Sequence, residues 1–380
     1  MGRGLTTGVY FSSLSIIGLV YGFSGPTLGA LAAQTGVGLG SIGIILSARA
    51  LGYLFGASQL GRFVDRQGSH RFLTLTILTG AVLIALIPFA RQLWVLALLM
   101  GLTGVTLAGP DVGSNTLIMR LHPTQPGPYM NALHLFFGLG ALLAPLLVAL
   151  TRTEASIAFP YWLLAGIVAG IGLLFLFRPE PSLHPPAAQV EVRGVQRLLW
   201  FGCVVFALYV GAEVGFSSWV FEYVNSAWDE LLATQITSGF WIAFTSFRLL
   251  GVLLALRFSP ARVVLVSLVT GALSCALLLV LPDTRSVLWL GALLFGAGVA
   301  AVYPTFLVFL GRQLTLTGRR LGIVAVASTA GSMTIPWLIG RVFGSWSPRA
   351  VPLIAGACLV LSLATFLALK KWTSQRTAKA

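Results

Sequence analysis

The chain has 380 residues, of which 57% are hydrophobic and only 9% charged, and its mean hydropathy is +0.92. Soluble domains carry roughly 25% charged residues, so this composition excludes a water-soluble enzyme and indicates an integral membrane protein. A formal net charge of +14 invites a nucleic-acid reading, but the placement of the basic residues along the chain argues against it.

Apolar runs long enough to cross ~30 Å of hydrocarbon recur along the sequence. Twelve are expected, at about 5–31, 38–60, 72–89, 93–119, 131–151, 158–177, 198–225, 232–256, 262–281, 287–311, 320–343 and 350–370. The first is longer than the core of a signal peptide and is expected to be a retained helix. With both termini placed in the cytoplasm, the inner connections and tail hold Arg3, Arg62, Arg66, Arg71, Arg120, Arg178, Arg193, Arg197, Arg257, Arg262, Arg312, Arg319, Arg320, Lys370, Lys371, Arg376 and Lys379. The outer loops hold only Arg91, Arg152, Arg285, Arg341 and Arg349. Such asymmetry is the positive-inside pattern, so the basic excess sets topology and no nucleic-acid partner is expected. A multi-pass protein of a bacterial inner membrane, monomeric and surrounded by lipid, is the expectation.

Residues 178–197 are proline-rich and charged and form the only long polar stretch. They are expected to be a cytoplasmic linker between a six-helix bundle over 1–177 and a second over 198–380 with a short basic tail. The halves repeat one another. Ser47-Ala-Arg49-Ala-Leu-Gly52 in segment 2 matches Ser246-Phe-Arg248-Leu-Leu-Gly251 in segment 8. Gly140-x4-Pro145 in segment 5 matches Gly331-x4-Pro336 in segment 11. Cys203, Cys275 and Cys358 lie in apolar runs without metal-ligand spacing and are expected in the core; no metal site or cofactor is expected.

Four charges sit deep inside the apolar runs: Arg49, Asp111, Glu213 and Arg248. A charge at mid-bilayer costs at least about 2.5–3.5 kcal/mol on insertion scales and persists where it has a partner or a water-filled path. The expected pairs are Arg49 with Asp111 and Arg248 with Glu213, serving either to join helices or to couple transport to a bound cation. Asp111 and Asn115 are four apart, Asn131 and His134 three, and Glu213 and Ser217 four, so each pair shares a helix face. Polar faces in membrane helices turn toward the bundle interior. The family resemblance set out next implies a sugar, whose recognition needs donors and acceptors for hydroxyls and an aromatic plate for the C–H face. Asn115, Asn131, His134 and Gln235 are candidates for the first, and Phe137, Trp219, Trp241, Tyr303 and Trp337 for the second.

Between segments 2 and 3 runs Gly61-Arg62-Phe-Val-Asp65-Arg66-Gln-Gly68-Ser-His70-Arg71. It resembles the signature loop of the major facilitator superfamily, in which a glycine, an Asp-Arg pair and a further basic residue latch one state; Gly61, Asp65, Arg66 and Arg71 would form this gating loop. The counterpart between Arg257 and Arg262 lacks the Asp-Arg pair. Segment 4 carries Gly109-Pro110-Asp111-Val-Gly113-Ser-Asn115, segment 5 Met130-Asn131-Ala-Leu-His134-Leu-Phe-Phe137-Gly138, and segment 7 Gly211-Ala-Glu213-Val-Gly-Phe216-Ser217-Ser-Trp219. Together these resemble the branch holding the fucose permeases and sodium-dependent glucose transporters. The resemblance implies an all-α major facilitator fold of twelve transmembrane helices in two pseudo-symmetric bundles, with no enzymatic activity. It implies alternating-access symport of a monosaccharide such as glucose or fucose with Na+ or H+, coupled at Asp111 and Glu213 with Arg49 and Arg248 tuning them. Segment 1, Gly18-Leu-Val-Tyr21-Gly-Phe-Ser24-Gly-Pro26, lacks the acid that fucose permeases carry there. The alternative for the same fold is a proton-coupled exporter of small amphipathic compounds.

Overall fold

A computed structural model of the protein describes residues 3–64, 69–122, 126–152, 156–177, 196–281, 284–311, 313 and 318–377. The fold is all-α. Its long helices are α1 (Arg3–Thr35), α2 (Ile44–Val64), α3 (Ser69–Leu86), α4 (Leu93–Leu121), α5 (Pro126–Thr151) and α6 (Ala158–Leu174), followed by α7 (Gln196–Asn225), α8 (Glu230–Arg257), α9 (Pro260–Val280), α10 (Arg285–Gly311, broken at Ala301), α11 (Gly318–Ser345) and α12 (Ala350–Thr377). A single turn, Leu39–Ile42, leads into α2. Eleven of these regions are long and apolar enough to cross a membrane among the described residues. The remaining one, α8, spans 28 residues but carries Thr234, Gln235, Thr237, Ser238, Thr245, Ser246 and Arg248 along its course.

Helices are the solution because lipid offers no partner to an open backbone N–H or C=O. Their ends use local chemistry. After α1, Gly36 takes φ +68°, its N–H bonds the Ala33 carbonyl at 3.2 Å, and the Val37 N–H bonds the Ala32 carbonyl at 3.0 Å. That double return satisfies two terminal carbonyls, and the left-handed residue it needs is one only glycine adopts cheaply. At the start of α8, Asp229 Oδ1 accepts from the Leu232 N–H at 2.8 Å, an N-cap. The three cysteines are buried free thiols, as their apolar setting predicts.

The chain divides into two compact units, Met1–Pro185 and Pro186–Ala380. Most of the expected linker, residues 178–195, lies outside the described residues. Within the first unit α1 packs on α5, α2 on α4, and α3 on both α4 and α6. Within the second, α7 packs on α11, α8 on α10, and α9 on both α10 and α12. The second scheme is the first shifted by six helices, so the internal repeat extends from short motifs to packing.

Glycine makes the closest crossings. A Cβ on Gly140 would overlap the Ser15 carbonyl oxygen of α1, and one on Gly331 would overlap the Ala207 carbonyl oxygen of α7. These are the two glycines of the repeated Gly-x4-Pro motif. On α4, a Cβ at Gly104 would overlap the Arg49 carbonyl oxygen and stand 2.9 Å from the Tyr53 nitrogen of α2. Gly104→Ala is therefore expected to lower unfolding stability in detergent by about 1–3 kcal/mol, as overpacking does. Gly170→Ala, where a Cβ meets nothing within 4 Å, is the matched control and should be neutral in the same denaturation experiment.

Candidate functional site

In the first unit the site begins on α2, where Arg49 and Tyr53 are one turn apart and share a face. Gly104 brings α4 against the α2 backbone at this level, and Asp111 lies two turns further along α4 on the same side. The Tyr53 hydroxyl donates to Asp111 Oδ2. Asn115 Nδ2 donates to Asp111 Oδ1 at 2.8 Å, so both carboxylate oxygens are occupied by neutral donors.

The expected ion pair between Arg49 and Asp111 is not formed. Arg49, 3% exposed, turns to α1 instead. Its Nη1 donates to Ser24 Oγ at 2.5 Å and to the Val20 carbonyl at 3.4 Å, and its guanidinium lies 4.3 Å above the Tyr21 ring. A ring face, a hydroxyl and a carbonyl from one helix suit a planar cation well enough to outcompete an acid that already has two donors. Phe137 of α5 lies 6.2 Å from the Tyr21 ring, so this predicted aromatic neighbours the ring that carries the arginine.

In the second unit the break in α10 supplies the partners. A helix end leaves carbonyls without intrahelical donors. Beside the break, the Ala300 carbonyl accepts from Arg248 Nε at 3.4 Å, and the Val299 carbonyl lies 3.0 Å from the Tyr209 hydroxyl. That hydroxyl also donates to Glu213 Oε2, one turn along α7. A phenol has one proton, so Glu213 and Val299 compete for it. Arg248 lies over the Phe244 ring at 4.6 Å and within electrostatic reach of Glu213 and Tyr209.

The other expected residues scatter. Trp219 is wholly buried between α7 and α11: its Nε1 donates to the Pro336 carbonyl at 2.9 Å, and a Cβ on Gly340 would stand 2.5 Å from its ring. In this conformation its indole is occupied by helix packing. Trp241 is buried, edge-on to Phe240 and Phe244 at 4.8 and 5.4 Å. Tyr303 is half-buried and edge-on to Phe206 at 5.0 Å, within electrostatic reach of Tyr209. His134 is half-buried on α5, while Gln235 and Trp337 are exposed. The Asn131 side chain lies outside the described residues, as do Asp65, Arg66 and the Gly61 environment; Arg71 is exposed at the start of α3.

Tyr53, Tyr209, Tyr21 and Ser24 are the functional candidates that residue-type reasoning passes over. A signal for two of them exists: Tyr53 is four residues after Arg49 and Tyr209 four before Glu213, a one-turn spacing to a charge within an apolar helix.

The model of the Major Facilitator Superfamily matches residues 10–227, more than half of the chain. The chain belongs to the major facilitator superfamily. Among curated relatives of this facilitator, the mouse (Mus musculus) sodium-dependent glucose transporter 1A is 28% identical over 90% of each chain. Sodium-dependent glucose transporter 1 of Rattus norvegicus is 29% identical, covering 94% of this chain and 82% of its own. Among solved structures, the nucleoside transporter NupG superposes with a TM-score of 0.74 at 17% identity, over 97% of this chain and 99% of its own. A D-xylose-proton symporter gives 0.77 at 14% identity over 96% and 97%. The relatives are transporters, not enzymes, and the branch resemblance carried by α4, α5 and α7 agrees with the names of the curated ones.

The side-chain geometry of this facilitator is checked by double-mutant cycles on unfolding stability. Tyr53→Phe with Asp111→Asn should show a coupling of about 1 kcal/mol or more, as bonded pairs do. Arg49→Gln with Asp111→Asn should add within roughly 0.5 kcal/mol, as non-contacting residues do.

Proposed function

We propose that this facilitator is a secondary active transporter that carries a monosaccharide such as glucose or fucose together with Na+ or H+ by alternating access. The observation that carries this reading is the tyrosine hydroxyl bound to the half-buried acid in each unit, on Asp111 and on Glu213. A phenol satisfies a carboxylate's lone pair without neutralising its charge. The carboxylate charge therefore stays available to a cation or proton, whose arrival releases or re-aims the hydroxyl. An arginine salt bridge would have closed that option, and Arg49 is instead held on α1.

Coupling then follows from differential binding, since a cation shifts a two-state equilibrium only by as much as it prefers one state. Asp111 takes the leading role because its partners are neutral, and Glu213 a second one because Arg248 acts on it electrostatically. Asn115 beside Asp111, with the Phe137 and Tyr21 rings, supplies the polar and apolar surfaces a sugar requires. The names of the two curated relatives described above, both sodium-dependent glucose transporters, support both the sugar and the cation. In orientation, both termini are proposed to face the cytoplasm of a bacterial inner membrane, on the distribution of arginine and lysine.

Proteoliposomes loaded to impose separate sodium and proton gradients provide the test. Labelled glucose, fucose or a close analogue should accumulate under one gradient and merely equilibrate without it. Asp111→Asn should lower gradient-driven uptake by about tenfold or more, the effect of about 1.4 kcal/mol, and Glu213→Gln should reduce it too. Absence of accumulation under either gradient would refute symport, and full accumulation in both variants would refute the coupling residues.

A further inference from the structure

A few buried hydroxyls reach carbonyls of other helices, as Ser274 and Ser362 do at Gly291 and Val205, but most bond back to a carbonyl three or four residues earlier in their own helix. Ser13 donates to Tyr10, Thr27 to Phe23, Thr74 to His70, Thr237 to Ala233, Ser328 to Val324 and Ser332 to Thr329. This local option is open to any helical serine or threonine. Two hydroxyls on α8 do not take it. Ser238 Oγ and Thr245 Oγ1, in residues 6% and 7% exposed, have no hydrogen-bond partner.

The two are seven residues apart, two helical turns and about 10.5 Å along the axis, so they stand almost in line. Trp241 lies between them on the same face, and Arg248 continues the stripe one turn beyond Thr245. The rest of α8 is engaged with α10. A Cβ on Gly239 would stand 2.5 Å from the Trp289 ring, and the Phe240 carbonyl lies against Gly296. Arg248 at the end of the stripe also reaches α10, at the Ala300 carbonyl, but no bond ties Ser238 or Thr245 there, and these hydroxyls give up a bond that costs the fold nothing to make. A hydroxyl left open in one conformation of a transporter, beside an indole and a guanidinium, has the chemistry of a surface that meets ligand during part of a cycle.

We infer that Ser238 and Thr245 are recognition positions for the hydroxyl groups of a neutral polyol substrate, with the Trp241 ring between them as the apolar plate. The inference rests on the monosaccharide reading above and assigns it residues on α8. A hydroxyl both donates and accepts, as a sugar hydroxyl does, so each position bonds the substrate whichever way its proton turns. A charged substrate would call for an opposite charge at these positions, and an amphipathic hydrocarbon would leave both hydroxyls unpaired.

Because the hydroxyls have no partner within the fold, removing them separates recognition from stability. Ser238→Ala and Thr245→Val in the full-length protein are expected to unfold in detergent at the wild-type temperature or slightly above. Uptake of labelled glucose or fucose should show KM raised about 3- to 10-fold per variant, the effect of one neutral hydrogen bond, with the maximal rate within about twofold. The sugar-induced rise in unfolding temperature should shrink in parallel, and Ser238→Thr, which keeps the hydroxyl, should restore both readouts. If sugar stabilises the wild type and both variants equally, or if the variants unfold markedly earlier with unchanged KM, the hydroxyls are structural and the inference fails while the sugar reading stands. If no monosaccharide stabilises the wild type or is taken up by it, the sugar reading fails and this inference falls with it.

Discussion

A charge inside hydrocarbon has to be held by polar partners, from its own helix or a neighbouring one, and that requirement organises both six-helix units. Arg49 and Asp111 each reach across a helix boundary, one to α1 and one to α2. Such reaches demand that backbones come close enough for one side chain to span the gap. Glycine provides the approach at Gly104, Gly140 and Gly331, where any Cβ would strike a carbonyl oxygen of the partner helix. In lipid, where no hydrophobic drive pulls apolar helices together, small residues at the crossing and polar bonds across it are the main sources of association. The polar site and the glycine crossings are thus two halves of one arrangement.

The two units share a packing scheme and differ in how they hold their acid. In the first, Asp111 and its tyrosine sit on different helices, α4 and α2, so the bond reports the distance between them. In the second, Glu213 and Tyr209 lie one turn apart on α7, and the same phenol reaches the Val299 carbonyl of α10 at 3.0 Å. There the shared proton, rather than the carboxylate, links two helices. Both carbonyls lie beside the break at Ala301: the Val299 carbonyl, which also accepts the Ala301 N–H, receives Tyr209, and the Ala300 carbonyl receives Arg248. A duplicated scaffold therefore carries two unlike junctions, one made by the carboxylate itself and one made by the phenol beside it.

How far the site could be read in advance depends on the residue. Gly140 and Gly331 announce themselves as a repeat, and their meaning, a backbone crossing, follows from having no side chain. Arg49 is legible as a buried cation needing partners, but spacing along α2 does not say whether its long side chain bends toward α1 or α4. Trp219 reads as an aromatic beside an acid, yet its indole N–H finds the Pro336 carbonyl 117 residues away, a partner that no local pattern marks. Ser238 and Thr245 are ordinary helical hydroxyls in sequence. They become notable only when the bonds they do not make are known.

The sequence by itself determined the membrane setting, the helical segments, the two-fold repeat and the identity of the four costly charges. Composition and apolar length are local quantities, and lipid enforces helix wherever they are met. Tertiary structure alone decided which partner each charge takes, because a buried group bonds whatever donor or acceptor the closest helix presents. Helix approach is set by small residues on two segments far apart in the chain: packing at Gly104 lays α4 against α2, where Asp111 meets Tyr53, while Arg49 on the same helix is held by Ser24 and Tyr21 of α1.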